Sequence, residues 1–319
     1  MRMSRKAAAA AVIAAFVACA APDATTSVTR WTGSPVSAHD PDHEGMPDLI
    51  VDAPTLGSSW VVYNETVPEG CTAEEGEVVP GDHRTLRFSV NTPNIGTRDV
   101  FVGDPNQHFD PNGDGNPADG DGLFEFATCH RHYHFRHYAT YELIPVNADG
   151  TLGQGIVAAK RGFCMIDITP YRNDNAPPKA WVYRACGRPA IPELGLPALP
   201  GNQGISVGYA DQYNKALAGQ FFVVDDLPGG RYLIRIHVNP PFTAQNGEPC
   251  PFKDPAGFCH MLEESNYSNN VGQVVITLPE GRAGKKGWGP GGGEELPSDI
   301  YDLDQDAFKM GVKVKNMDH

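Results

Sequence analysis

The segment CHRHYHFRH at residues 129–137 constrains this chain more than any other. His130, His132 and His134 are spaced by two. On a helix such positions diverge, whereas on an extended strand they share one face. Three imidazoles on one face converge on a single ion where the strand bends, or where one ligand comes from its end. The spacing therefore predicts a metal site on a β-strand. Imidazole suits copper, zinc, iron or nickel, so the spacing does not name the metal. His137 breaks the alternation and reads as a supporting or surface residue. Metallo-hydrolases of the HxHxDH kind begin similarly, but no Asp follows His132; Tyr133 and His134 stand there instead. A cupin-like site would need only two of these histidines, with a distant carboxylate and histidine.

The rest of the chain agrees with strands. Hydrophobic residues make up 40% and charged residues 20% of the 319, enough apolar material for a core. Gly 35 and Pro 28 point to many turns and long loops, hence to a β-rich fold. Strands are expected at DLIVDA (48–53), TLRFSVN (85–91), RYLIRIHVN (231–239) and GQVVITL (272–278). In the third, Tyr232, Ile234, Ile236 and Val238 alternate with Arg235 and His237. The expectation is a mostly-β, single β-sandwich-like domain over 46–280, with long loops and few short helices. A polar linker at 20–45 precedes it and a Gly-rich flexible tail at 281–319 follows it.

The N-terminus reads as an export signal over residues 1–19. Arg2, Arg5 and Lys6 precede an apolar run at 7–18, too short to span a bilayer. Two endings are open: ordinary cleavage near Ala18, Ala20 or Ala21, or lipidation of Cys19 in the lipobox-like FVAC. The latter would be the only membrane attachment. Losing residues 1–18 lowers the formal charge from −14 to near −17. That argues against nucleic acid as a partner and suits either solubility or attraction of cationic amines. Beyond Cys19 the cysteines are Cys71, Cys129, Cys164, Cys186, Cys250 and Cys259. An even number outside the cytosol suggests three disulfides, and the lack of a CxxC pair argues against thiolate zinc or thioredoxin chemistry.

Further segments follow the histidines in a telling order: KRGFC (160–164), GISVGYADQYNKALAGQ (204–220), RYLIRIHVNP, then ESNYSNNV. With MPDLIVDA (46–53) and DHRTLRFSVNTPNIGTRDVF (82–101) before them, this arrangement resembles the catalytic domain of the lysyl oxidase family. The resemblance implies a secreted, copper-dependent amine oxidase. His130, His132 and His134 would be copper ligands. Lys160 and Tyr213 would form lysyl tyrosylquinone, and Asp211 is a candidate base. It also implies disulfides Cys71–Cys129 and Cys164–Cys186, leaving Cys250–Cys259 as a short local loop. A calcium site is implied at Asp48, the Leu49 carbonyl, Glu264, Asn266, Asn269 and Asn270, with Asn266 standing where a second acid is expected. Taken alone, Lys160 reads as a surface lysine, Tyr213 as a half-buried structural tyrosine and Asp211 as a turn cap.

Other readings stay open. Loop 110–122, with Asp110, Asn112, Asp114 and Gly115, resembles the start of an EF-hand, but Asp121 replaces the Glu at the twelfth place. A polar turn-rich loop is the plainer reading. Residues 165–203 are reshaped relative to the animal enzymes, so the amine could be peptidyl lysine in a protein partner or a small amine. The rivals to an amine oxidase are a His-metal hydrolase and a non-catalytic module binding copper and calcium at the cell surface.

Overall fold

In the strand Gly230–Val238 the alternation seen in sequence becomes burial. Tyr232 is 4% exposed, and Ile234, Ile236 and Val238 are fully buried, while Arg235 and His237 face partly outward. Each buried aliphatic side chain contributes on the order of 1.5–3 kcal/mol relative to exposure. This strand is the spine of an antiparallel sheet ordered Val271–Leu278, Gly230–Val238, Ala139–Pro145, Ile156–Val157. The computed structural model describes residues 45–109, 120–160, 162–171, 182–245, 250–281, 283–294 and 296. The export signal with Cys19, the linker up to residue 44, most of the 110–122 loop and the tail beyond 296 lie outside the described residues.

Two three-stranded sheets pack on the same core. One runs Val61–Val67, Gly81–Arg87, Phe221–Val223; the other runs Val90–Pro93, Tyr209–Tyr213, Thr169–Pro170. Two-stranded pairs complete the frame, among them Phe124–Ala127 with His132–Phe135. The four-stranded sheet, both three-stranded sheets and this pair contribute to one cluster of buried residues. The mostly-β expectation holds, with the strands divided among several small sheets. Only short helices occur among the described residues, including Ala53–Ser59 and Cys71–Gly76. No helix there is long and apolar enough to cross a membrane.

Three local expectations change. DLIVDA is not a full strand. Ile50 and Asp52 donate to the Pro93 and Asn91 carbonyls, but Pro54, in the first turn, starts the helix Ala53–Ser59. TLRFSVN divides into strands ending at Arg87 and starting at Val90. The flexible tail expected from residue 281 is docked over 283–294: Val62 and Trp288 exchange backbone hydrogen bonds of 2.8 Å, and Trp288 packs on Trp60 at 5.6 Å. Gly287, Gly289 and Gly291 permit this, because a Cβ on any of them would meet Val61, Trp60 or Ser59 at under 3 Å.

The three expected disulfides are present: Cys71–Cys129, Cys164–Cys186 and Cys250–Cys259. The first ties the helix Cys71–Gly76 to the residue that precedes His130, and the second holds the segment that follows Lys160.

Candidate functional site

His132 and His134 lie on the strand His132–Phe135, both buried on one face, with ring centroids 4.9 Å apart. His130 precedes the strand. Arg131 adopts φ 54, a left-handed conformation that bends the chain and swings the His130 ring over His132 at 5.2 Å. The bend needed for three alternate imidazoles to converge is therefore this one residue. One nitrogen from each ring falls within 4.8 Å of the others. His132 Nε2 and His134 Nε2 face each other at 3.1 Å, and the buried His132 Nδ1 has no hydrogen-bond partner. Burial pushes both imidazoles down, His134 to about 3, and outweighs the opposing Glu75 carboxylate. Neutral imidazoles are the form that binds a metal. The donor set fits copper or another imidazole-loving ion. His137 stays outside, stacked on Phe242 at 4.9 Å.

Lys160 is brought to this cluster by Phe163 and Gly162. Phe163 is buried among Tyr138, Tyr141 and Tyr213, and its carbonyl accepts from Phe135 N at 2.7 Å. Gly162 crosses directly over His134, where a Cβ would lie 2.0 Å from Nδ1. Lys160 is 5% exposed, and its Nζ lies 5.6 Å from the centroids of both the Phe163 and Tyr213 rings. Tyr213 is itself buried and donates to the Cys164 carbonyl at 3.0 Å. Lys160 and Tyr213, 53 residues apart in sequence, thus already meet in the fold. Asp211 shares the Tyr213 face of the strand Tyr209–Tyr213 and is 2% exposed, with Oδ2 unpartnered. Burial pushes its carboxyl well up, outweighing a hydrogen bond from Tyr213.

Glu75 is the site residue that the sequence reading missed. Its Oε2 accepts from Lys160 Nζ at 2.5 Å, and its Oε1 lies 2.8 Å from His130 Nδ1. Burial pushes its carboxyl up, but the Lys160 charge and the His130 contact outweigh this and hold it well below the usual range. Pairing Cys71 with Cys129 was the available signal, since it sets CTAEEG beside CHRHYH. A cleft of about 420 Å³ opens above His134 and Gly162, rimmed by Glu74, Glu75, Glu77 and Glu125. A larger cleft of about 950 Å³, around His83 and Asp225, shares no residue with the histidine cluster.

The residues expected to bind calcium form a second cluster. Glu264 is buried and accepts from Leu49 N at 2.5 Å, Asn239 Nδ2 at 2.6 Å and Asn270 Nδ2 at 2.7 Å. Asp48 accepts from Asn269 Nδ2 at 2.8 Å. Burial raises Glu264 to about 7 despite these donors. The Oδ1 atoms of Asn269 and Asn270 are buried without partners. Asn266 is exposed, and its Oδ1 caps the turn at Ser268.

Fold and site together define a class: a mostly-β domain in which three clustered imidazoles, a buried amine and a buried phenol share one centre. A sequence profile of the lysyl oxidase family matches residues 64–278. Protein-lysine 6-oxidase of Sus scrofa is 26% identical over 244 residues, covering 73% of this chain and 76% of that protein. The Homo sapiens protein-lysine 6-oxidase is 25% identical over 239 residues, 71% of this chain and 44% of that protein. Lysyl oxidase homolog 1 of Homo sapiens is 26% identical over 239 residues, 71% and 32% respectively. The chain thus spans less than half the length of these human relatives. It belongs to the lysyl oxidase family.

Proposed function

We propose that this protein is an extracellular copper-dependent amine oxidase that uses a cofactor built from Lys160 and Tyr213. The family consists of oxidoreductases acting on CH–NH2 groups. The observation that carries the reading to these residues is the 5.6 Å separation of Lys160 Nζ from the Tyr213 ring centroid, beside three imidazoles whose nitrogens lie within 4.8 Å of one another. The overall reaction is RCH2NH2 + O2 + H2O → RCHO + NH3 + H2O2. No unmodified side chain provides the electron sink it needs, so a cofactor must. The lysyl tyrosylquinone of this family supplies a carbonyl that accepts the substrate amine and its electrons.

The chain's own residues do the rest. His130, His132 and His134 would hold copper. Asp211, with an unpartnered oxygen beside Tyr213, receives the proton from the substrate carbon. Phe163 and its neighbouring tyrosines keep water from the pair. The glutamate-rimmed cleft attracts ammonium groups, which suits peptidyl lysine or a small primary amine. Asp48, Leu49, Glu264, Asn269 and Asn270 would hold calcium as a structural brace, supported by the two unpartnered amide oxygens; Asn266 would join only by leaving its turn.

The test is peroxide release over a panel of amines by copper-loaded, aerobically matured protein, with peptide mass mapping. Lys160→Ala and Tyr213→Phe should each abolish peroxide release while leaving copper bound. Active protein in which Lys160 and Tyr213 are separate and unmodified would refute the reading.

A further inference from the structure

Glu75 has no part in the reaction above, yet it occupies the middle of the site. It sits on the helix Cys71–Gly76, which the Cys71–Cys129 disulfide fixes against the histidine segment. Its two oxygens face different groups. Oε2 takes the Lys160 ammonium at 2.5 Å; Oε1 lies 2.8 Å from His130 Nδ1 and 3.7 Å from His134 Nε2. Among the described residues, the other acceptor on Lys160 is the Ala218 carbonyl, at 3.3 Å. Packing holds the carboxylate from behind. Gly219 has φ 66 and crosses so close that a Cβ there would lie 2.8 Å from the Glu75 Cβ.

A buried ammonium beside three imidazoles requires a counter-charge. A lysine on its four-carbon stem would otherwise turn to solvent through the cleft. Glu75 keeps it pointed at Tyr213 instead. The same carboxylate turns its free edge toward the nitrogens that would bind a cation, so a cation held there competes with Lys160 for it.

We propose that Glu75 is a positioning residue for cofactor formation: it holds the Lys160 amine beside Tyr213 and couples that placement to occupancy of the histidine cluster. This rests on the reading of Lys160 and Tyr213 as the cofactor precursors.

Two measurements test it. In metal-free protein, Lys160 is acylated with an amine-reactive reagent and the rate is followed by peptide mass spectrometry, with and without Zn(II), which is redox-inactive. In copper-loaded, aerobic protein, the Lys160–Tyr213 cross-linked peptide is quantified for wild type, Glu75→Gln and Glu75→Asp, each taken as folded monomer with copper stoichiometry measured. Glu75→Gln should acylate at least tenfold faster and cross-link at least tenfold more slowly per copper bound. Glu75→Asp, which keeps the charge, should recover part of both. Zn(II) should change wild-type acylation of Lys160 at least threefold. Equal cross-linking in folded Glu75→Gln and wild type overturns the role of Glu75. If that variant does not fold, indifference of wild-type Lys160 to Zn(II) overturns it. Absence of the cross-linked peptide from wild type overturns instead the cofactor reading beneath it.

Discussion

Glu75 and Lys160, separated by 85 residues, meet in a 2.5 Å ion pair whose carboxylate also touches His130. The lysine is thereby placed in the same small volume as the histidines and Tyr213. Only a modest motion separates its amine from the tyrosine ring. Several consequences can be measured.

Gly162 is the one residue that can cross His134 at this distance. Replacing it with Ala puts a Cβ 2.0 Å from Nδ1, so His134 must move out of the cluster. Gly162→Ala should weaken copper binding at least tenfold, read by titration against a competing chelator. Wild-type affinity would mean that the crossing is looser than described.

Arg87 is fully buried, with Glu65 as its counter-ion at 2.7 Å, and it donates to the Lys215 and Leu217 carbonyls. It therefore braces the loop that presents the Ala218 carbonyl to Lys160. Glu65→Ala removes this counter-ion from a buried guanidinium and should cost about 3–5 kcal/mol in urea unfolding. A change below about 1 kcal/mol would show that the loop relaxes around the arginine.

The exposed Glu74, Glu77 and Glu125 rim the cleft above His134. Replacing all three with Gln should raise KM for cationic amines several-fold and flatten its dependence on salt, with little change in kcat. An unchanged KM at low ionic strength would remove the cleft as the entry route.

His237 is pushed down to about 4 by burial, then by the neighbouring His260 and Arg235. Its folded value lies below its unfolded one, near 6.5. The unfolded chain therefore binds the proton first, and stability is lost as pH falls from about 6.5 toward 4. The loss should be of order 1 kcal/mol, because solvent reaches the ring and screens the effect. His237→Asn should flatten thermal midpoints across this window; an unaltered slope would assign the acid sensitivity elsewhere.

Calcium binding at Asp48 and Glu264 would favour only the folded chain, so the melting temperature should rise with calcium. Glu264→Ala should remove that rise while copper binding persists. Chelation of calcium that leaves wild-type melting unchanged would eliminate the site.

The sequence by itself made legible a histidine cluster borne largely on a strand and the alternation of Gly230–Val238; resemblance added the Cys71–Cys129 and Cys164–Cys186 pairings, which left Cys250–Cys259, and pointed to Lys160 with Tyr213 as candidates. Each is local in character: a period of two, or a short run of distinctive residues in order. What only the tertiary structure decided depends on contacts between distant segments. The left-handed Arg131 that gathers His130, the passage of Gly162 over His134, and the docking of 283–294 on the first strand leave no periodic trace. Glu75 is the clearest instance. In sequence it is one acid among several after a cysteine, with nothing to set it apart from a solvated helix face. Its role arises because a disulfide carries its helix onto the histidines and the core carries Lys160 to meet it.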